Sequence, residues 1–233
     1  MSIAIDMPPK STQRPQLRLQ QLVSQGLPVG AFTYSQGLEW AVEENWVNDA
    51  ESLGRWLQSL MHTSIRFLEV PTYQKLRNAV DADDAGVFNQ WSSYLYANRE
   101  TAELRAEEKH RARAFAKLLP ALSLQTEGPW AQAISKSQLA GFAYATSFWQ
   151  IDPIEAVQSY LWSWLENNVM AGVRLIPLGQ TQGQQLIFSL SEQIPAIVQK
   201  GFSLNDDDIA GSSVAQAVAS SMHETQYTRL YRS

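Results

Sequence analysis

Asp152-Pro153-Ile154-Glu155-Ala156-Val157-Gln158-Ser159-Tyr160-Leu161-Trp162-Ser163-Trp164-Leu165-Glu166-Asn167-Asn168-Val169-Met170-Ala171-Gly172-Val173-Arg174-Leu175-Ile176-Pro177 holds both ends of one helix. Asp152 is a capping type, Pro153 takes the first helical position where its missing N–H is no loss, and Glu155 sits three residues past the cap. Ile154, Val157, Leu161, Leu165, Val169 and Val173 then form a stripe with helical spacing, flanked by Trp162 and Trp164. Pro177 ends the run, because it cannot donate a backbone hydrogen bond and disfavours helical geometry before it.

The same period recurs on both sides of this segment. Leu17, Leu19, Leu22 and Val23 mark a short helix that stops by Gly26-Leu27-Pro28, and Leu38, Ala41 and Val42 mark a second starting near Ser35. Asn48-Asp49-Ala50-Glu51 fits a capping pattern from Asn48 to Glu51 and opens a stripe of Leu53, Leu57, Leu60, Ile65 and Leu68, with Pro71 expected to kink or split that helix. Asp81 to Asp84 make a polar break before Val87, Trp91 and Leu95. Leu186, Phe188 and Leu190 alternate over too few residues to outweigh the helical signals around them. The reading is an all-α, single-domain helical bundle of roughly eight to ten helices over residues 16–221, given ordinary helix lengths. Residues 1–15, with Pro8, Pro9 and Pro15 among polar neighbours, read as a mobile tail, and residues 222–233 as a partner-binding tail.

Composition narrows the function. Of 233 residues 45% are apolar and 18% charged, with 18 Lys+Arg against 23 Asp+Glu for a net charge of −5. A disordered chain would be more charged and less apolar. Net acidity without a long basic run argues against nucleic acid. Zero cysteines exclude disulfides, zinc–thiolate sites, iron–sulfur clusters and thiol nucleophiles. The longest uncharged apolar-rich segment, Ser137 to Ile151, has 15 residues, against about 20 for a membrane span. No secretory signal pattern is legible, so a cytoplasmic location is expected.

Few constellations carry chemistry. Gly26 to Glu39 holds three glycines but no cation and no phosphate-loop spacing. It is either a close helix–helix connection or a surface loop presenting Tyr34, Ser35 and Glu39 to a partner. Around Arg99 to Leu119, Glu100 falls at about −40°, Glu108 at about +40° and Arg111 at about −20° from Leu104, the sector of Phe115 and Leu118. Charges on an apolar stripe need partners. Glu108 and Arg111, three apart, can pair at the edge of the core, or with Glu100 can line a wet internal path or interface. His62, His110 and His223 are far apart and none has a second His or Cys at helical spacing, so no closed metal site is expected, and at most a transient nickel or zinc contact near the C-terminus, at His223. No nucleophile motif occurs. The segment Met222 to Ser233 mixes Tyr, Arg and Leu, residue types suited to ordering on a partner.

Four stretches together resemble one family. Leu27-Pro28-Val29-Gly30-Ala31-Phe32-Thr33-Tyr34-Ser35-Gln36-Gly37-Leu38-Glu39 resembles the signature loop of the urease accessory protein UreF family. Arg99-Glu100-Thr101-Ala102-Glu103-Leu104-Arg105 resembles its central helix. Ile176-Pro177-Leu178-Gly179-Gln180-Thr181 with Gly183-Gln184, and His223-Glu224-Thr225-Gln226-Tyr227 with Arg229-Leu230-Tyr231-Arg232-Ser233, resemble two more of its motifs. Order and spacing agree from about Leu17 to Ser233; the N-terminal tail and Ser123 to Gln138 vary.

The resemblance implies an all-α, homodimeric chaperone without catalysis or a stably held cofactor. Relatives join UreD (also called UreH) and the GTPase UreG to deliver nickel to apo-urease. It implies that His223, Glu224, Tyr227, Arg229, Leu230, Tyr231 and Arg232 contact the UreD-type partner, and that Tyr34, Ser35 and Glu39 face UreG, with an influence on GTP hydrolysis. An internal nickel route, also implied, is compatible with Glu100, Glu108 and Arg111. The alternative from another class is an all-α enzyme, or a helical protein binding haem or a small molecule.

Overall fold

The structure, a computed structural model, describes residues 14–233. Residues 1–13 of the expected N-terminal tail lie outside the described residues. In chain order the helices are α1 (Pro15–Val23), α2 (Leu38–Glu43), α3 (Ala50–Leu60), α4 (Val70–Asp81), α5 (Ala85–Ala97) and α6 (Ala102–Leu118). They continue with α7 (Ala131–Lys136), α8 (Gln138–Phe148), α9 (Pro153–Leu175), α10 (Gln180–Ser191), α11 (Ile194–Phe202) and α12 (Val214–His223). Short 3₁₀ turns join several of them, and no strand occurs among the described residues. The all-α expectation is met.

The opening segment is α9. Asp152 caps it by accepting from the N–H groups of Ile154 and Glu155, both at 2.9 Å. Val157, Leu161, Leu165 and Val169 are buried as the stripe requires, whereas Ile154 is exposed because it lies in the first turn, beyond the packed surface. Six α-helices besides its neighbour α8 pack on α9: α1, α2, α3, α4, α10 and α11. That explains why its apolar face is wide enough to take Trp164 at the margin. Burying each Leu contributes about 1.5–3 kcal/mol.

Pro71 does not split the second long helix. From Ala50 to Asp81 the rod is continuous, but Met61–Glu69 is wound as a π-helix. The Val70 N–H reaches the carbonyl of Ile65, five residues back. A proline in the first turn of α4 has no N–H to give, and the widened stretch before it absorbs the mismatch without a break. Gly201 and Gly211 press on this stretch, where added Cβ atoms would lie 2.5 Å from Val70 Cγ1 and 2.9 Å from Phe67 Cβ. The cap of α3 is Asp49 rather than Asn48. Its carboxylate accepts from Ser52 N at 2.7 Å while Ser52 Oγ takes the Asp49 N–H at 3.0 Å, so Ser52 fills the place assigned to Glu51. The alternating Leu186, Phe188 and Leu190 lie within helix α10.

Two features bring distant sequence together. Helix α6 packs on α7 and α8 and also on α12. Helix α12 packs on α2, at a point where Gly37 has φ +86° and a Cβ would stand 2.8 Å from the Ser220 backbone nitrogen. Only glycine takes that conformation without strain and leaves that space. The loop after α1, the first turn of α2, the N-terminal half of α6 and everything after α12 therefore meet. Helix α12 runs through His223, two residues into the stretch read as tail.

Candidate partner-docking site

The loop between α1 and α2 turns back on itself through three positive-φ residues, Gly30 (+72°), Gln36 (+55°) and Gly37 (+86°). The turn at Gln36-Gly37 points successive backbone N–H groups the same way. Ser35 N and Gln36 N both donate to the Ser233 carbonyl oxygen, at 2.5 and 2.9 Å, and Ser35 Oγ donates to it at 2.6 Å. Arg232 N donates to Thr33 O at 2.9 Å. The last residues of the chain thus lie along the loop as a bound peptide would.

Glu39 anchors the same segment from the first turn of α2. Its carboxylate accepts from Leu230 N at 2.7 Å and Tyr231 N at 2.9 Å, and faces His223 Nε2 at 3.2 Å. The other ring nitrogen of His223 meets Glu103 on α6 at 2.7 Å, and Glu103 also receives Arg229 at 2.8 Å. One turn on, Glu107 accepts from Ser233 Oγ (3.1 Å), Gln36 Nε2 (2.9 Å) and Arg111 (2.8 Å). Glu224 in turn accepts from the Ala102 N–H at 2.9 Å, at the N-terminus of α6 where anions are favoured. The buried carboxylates of Glu39 and Glu107, and the partly buried one of Glu103, are thereby satisfied by groups from three chain regions, as burial demands.

This geometry corrects one expectation. Tyr34, Ser35 and Glu39 are not presented to solvent; all three are buried, and Ser35 and Glu39 bind the tail directly. A sequence window cannot show what covers it. The tail residues divide by side. His223 and Tyr231 point inward and are buried, whereas Tyr227, Leu230 and Arg232 are exposed, Leu230 at 76% and Tyr227 fully. Glu224 and Arg229 are also at the surface, each holding its α6 partner. Both nitrogens of His223 are engaged by carboxylates. Among the described residues no group of three or more His, Asp or Glu is placed to hold a metal ion.

The α6 cluster is also rearranged. Glu108 does not pair with Arg111. It pairs with Arg99 at 2.7 Å, and its other oxygen accepts from Ser137 Oγ and Gln138 N, each at 2.9 Å, closing the N-terminus of α8. Arg111 instead reaches Glu107, four residues back. Glu100 is exposed, because α6 begins only after Thr101 caps it, so the helical angle does not extend to residue 100. Burial works against ionising Glu108, but Arg99 and Arg111 and the hydrogen bonds from Arg99 and Ser137 outweigh it, and its carboxyl sits below the usual range. Burial, then the nearby Glu69, pushes the Tyr160 hydroxyl far up.

Arg99 also binds Glu69 at 2.6 Å, and these groups surround a cavity of about 30 Å³. Glu69 Oε2 and Arg111 Nε have no hydrogen-bond partner among the described residues. A second cavity of about 30 Å³ shares Arg111, Tyr160 and Trp164 with the first. Cavities of this size and polarity suit single ordered waters.

Sequence reasoning passed over Glu103, Glu107 and Gln36. The available signal was the i, i+4 spacing of Glu103 and Glu107, two like charges on one helix face that need outside partners.

A family model described as UreF matches residues 47–191 of the chain. A protein of Alcanivorax borkumensis named urease accessory protein UreF is 48% identical over 222 residues, covering 93% of this chain and 97% of that protein. The protein of the same name from Pseudomonas putida (strain W619) is 46% identical over 217 residues, with the same coverage. That of Klebsiella pneumoniae is 42% identical over 223 residues, covering 96% of this chain and all of the relative.

Proposed function

The chain belongs to the UreF family of urease accessory proteins, and from that premise we propose that it is a scaffold in urease maturation, without catalysis of its own. It joins a UreD/UreH-type protein and a UreG-type GTPase so that nickel, the cargo, reaches apo-urease. One observation carries this reading: residues 230–233 are strapped to the loop and to Glu39 through backbone groups, which leaves Tyr227, Leu230 and Arg232 facing outward on a fixed support. An exposed Tyr, Leu and Arg held in place form the core of an interface at low ordering cost. The outward side of the tail is assigned to the UreD-type partner. Ser35 and Glu39 act as positioning residues beneath it, with Tyr34 buried beside them, and any influence on GTP hydrolysis passes through the tail that Ser35 and Glu39 hold. The polar cavities along Arg99, Glu108 and Arg111 support an internal wet path. Homodimerisation and a cytoplasmic location belong to the same reading. No helix among the described residues is long and apolar enough to cross a membrane.

The test is co-purification with tagged UreD-type and UreG-type proteins. A chain lacking residues 225–233 should lose the UreD-type protein while keeping its helical circular dichroism. Unimpaired capture would sink the assignment. GTP turnover by the assembled complex with the wild-type and Glu39→Ala chains tests the regulatory part, and equal turnover removes it. Light scattering of the purified chain reads the dimer directly.

A further inference from the structure

Helix α6 has a second face that the tail does not touch. Lys109, His110, Arg113 and Lys117 are all exposed and fall within about 100° of one another at helical spacing. None of their side chains makes an ion pair or hydrogen bond with any described residue. That contrasts with the rest of the helix, where Glu103, Glu107, Glu108 and Arg111 are all paired. It also runs against the chain's net charge of −5. A groove of about 550 Å³ runs beside three of these residues, with Pro28, Ala114 and Leu118 among its walls and His110, Arg113 and Lys117 at its edge; Lys109 lies one turn before Arg113 on the same face. It shares no lining residue with the groove at the tail and α12.

From this arrangement we infer that the α6 basic strip is a docking surface for an acidic protein segment, one that places carboxylates on Lys109, Arg113 and Lys117 and an apolar side chain against Ala114 and Leu118. Unpaired cations on an acidic protein attract anions and set orientation. The apolar walls favour a peptide over a phosphate backbone, which has nothing to bury there. Pro28 lies in the connection that leads into the tail-holding loop, so this face and the tail flank one element without overlapping.

The surface rests on the scaffold reading. The test uses the full chain assembled with the UreD-type and UreG-type proteins and apo-urease. A carbodiimide, which joins an amine to a carboxylate only in direct contact, should link Lys109 or Lys117 to an Asp or Glu of one component. Lys109→Glu, Arg113→Glu and Lys117→Glu together should weaken retention of that component by roughly tenfold or more, while thermal melting stays unchanged because all three side chains are exposed. Undiminished retention by this variant, links only within the chain itself, or retention abolished by nuclease would each overturn the surface and leave the scaffold standing. A wild-type chain that retains no component would overturn the scaffold and the surface with it.

Discussion

The carboxylate of Glu39 receives the backbone N–H of Tyr231, 192 residues further along the chain, at 2.9 Å. The same carboxylate takes the Leu230 N–H at 2.7 Å. Two successive amides on one buried carboxylate hold a main-chain segment in register whatever side chains it carries outward. A tail that would fray as a free end becomes part of the surface.

Removing that carboxylate should release the tail without melting the bundle. Glu39→Ala leaves two amides without their acceptor and His223 with Glu103 as its one carboxylate partner, and charged hydrogen bonds of this kind are worth roughly 1.5–3 kcal/mol. The expected outcome is hydrogen exchange at Leu230 and Tyr231 faster by about tenfold or more. Protection in α9 should be unchanged, and Glu39→Gln should fall between the two.

Gly37→Ala should act on the same site through the backbone. It forces a Cβ to φ +86° and within 2.8 Å of Ser220 N. A loss of about 1–3 kcal/mol in urea unfolding is expected, with α12 losing exchange protection. Full stability would mean that α2 and α12 pack less closely than they do here.

Acid should weaken the protein partly through Glu108. Its folded-state pKa lies below the ordinary 4.5, so between the two values the unfolded chain binds the extra proton. The stabilisation is therefore complete above about pH 4.5 and is lost as pH falls through the folded-state value. Unfolding free energies from urea titrations across pH 3–6 should drop on the acid side, by at most about 1.4 kcal/mol per pH unit from this group. Glu108→Gln should flatten that slope and lower stability at neutral pH, where Arg99 loses one of its two carboxylate partners and keeps Glu69.

The cap of the longest helix gives a smaller effect. Asp152→Ala removes two 2.9 Å hydrogen bonds at an exposed helix start, and thermal unfolding should register about 1 kcal/mol.

Leu230 separates binding from folding. It is 76% exposed and its structural contact is through the backbone. Leu230→Ser should change stability by less than about 0.5 kcal/mol yet reduce retention of the UreD-type protein on a tagged column.

The stripes of α3 and α9, the capping Asp152 and the polar break before α5 were all legible in the sequence, because each depends on neighbours within a turn or two. The four motifs also pointed to the family. The pairing of Glu108 was not legible. Helical angle places it near Arg111, but Arg99 and the start of α8 approach from outside the helix and offer better hydrogen bonds.

Local chemistry therefore determined that this chain is helical, where its main helices begin, and which residues belong together as motifs. Only the tertiary structure decided that Tyr34, Ser35 and Glu39 are buried instead of facing solvent, Ser35 and Glu39 being bound to the chain's own last residues. Helix periodicity is set by contacts a few residues apart, whereas burial of a polar loop depends on what folds over it. Here that is a segment nearly two hundred residues away, brought in by the packing of α12 against Gly37.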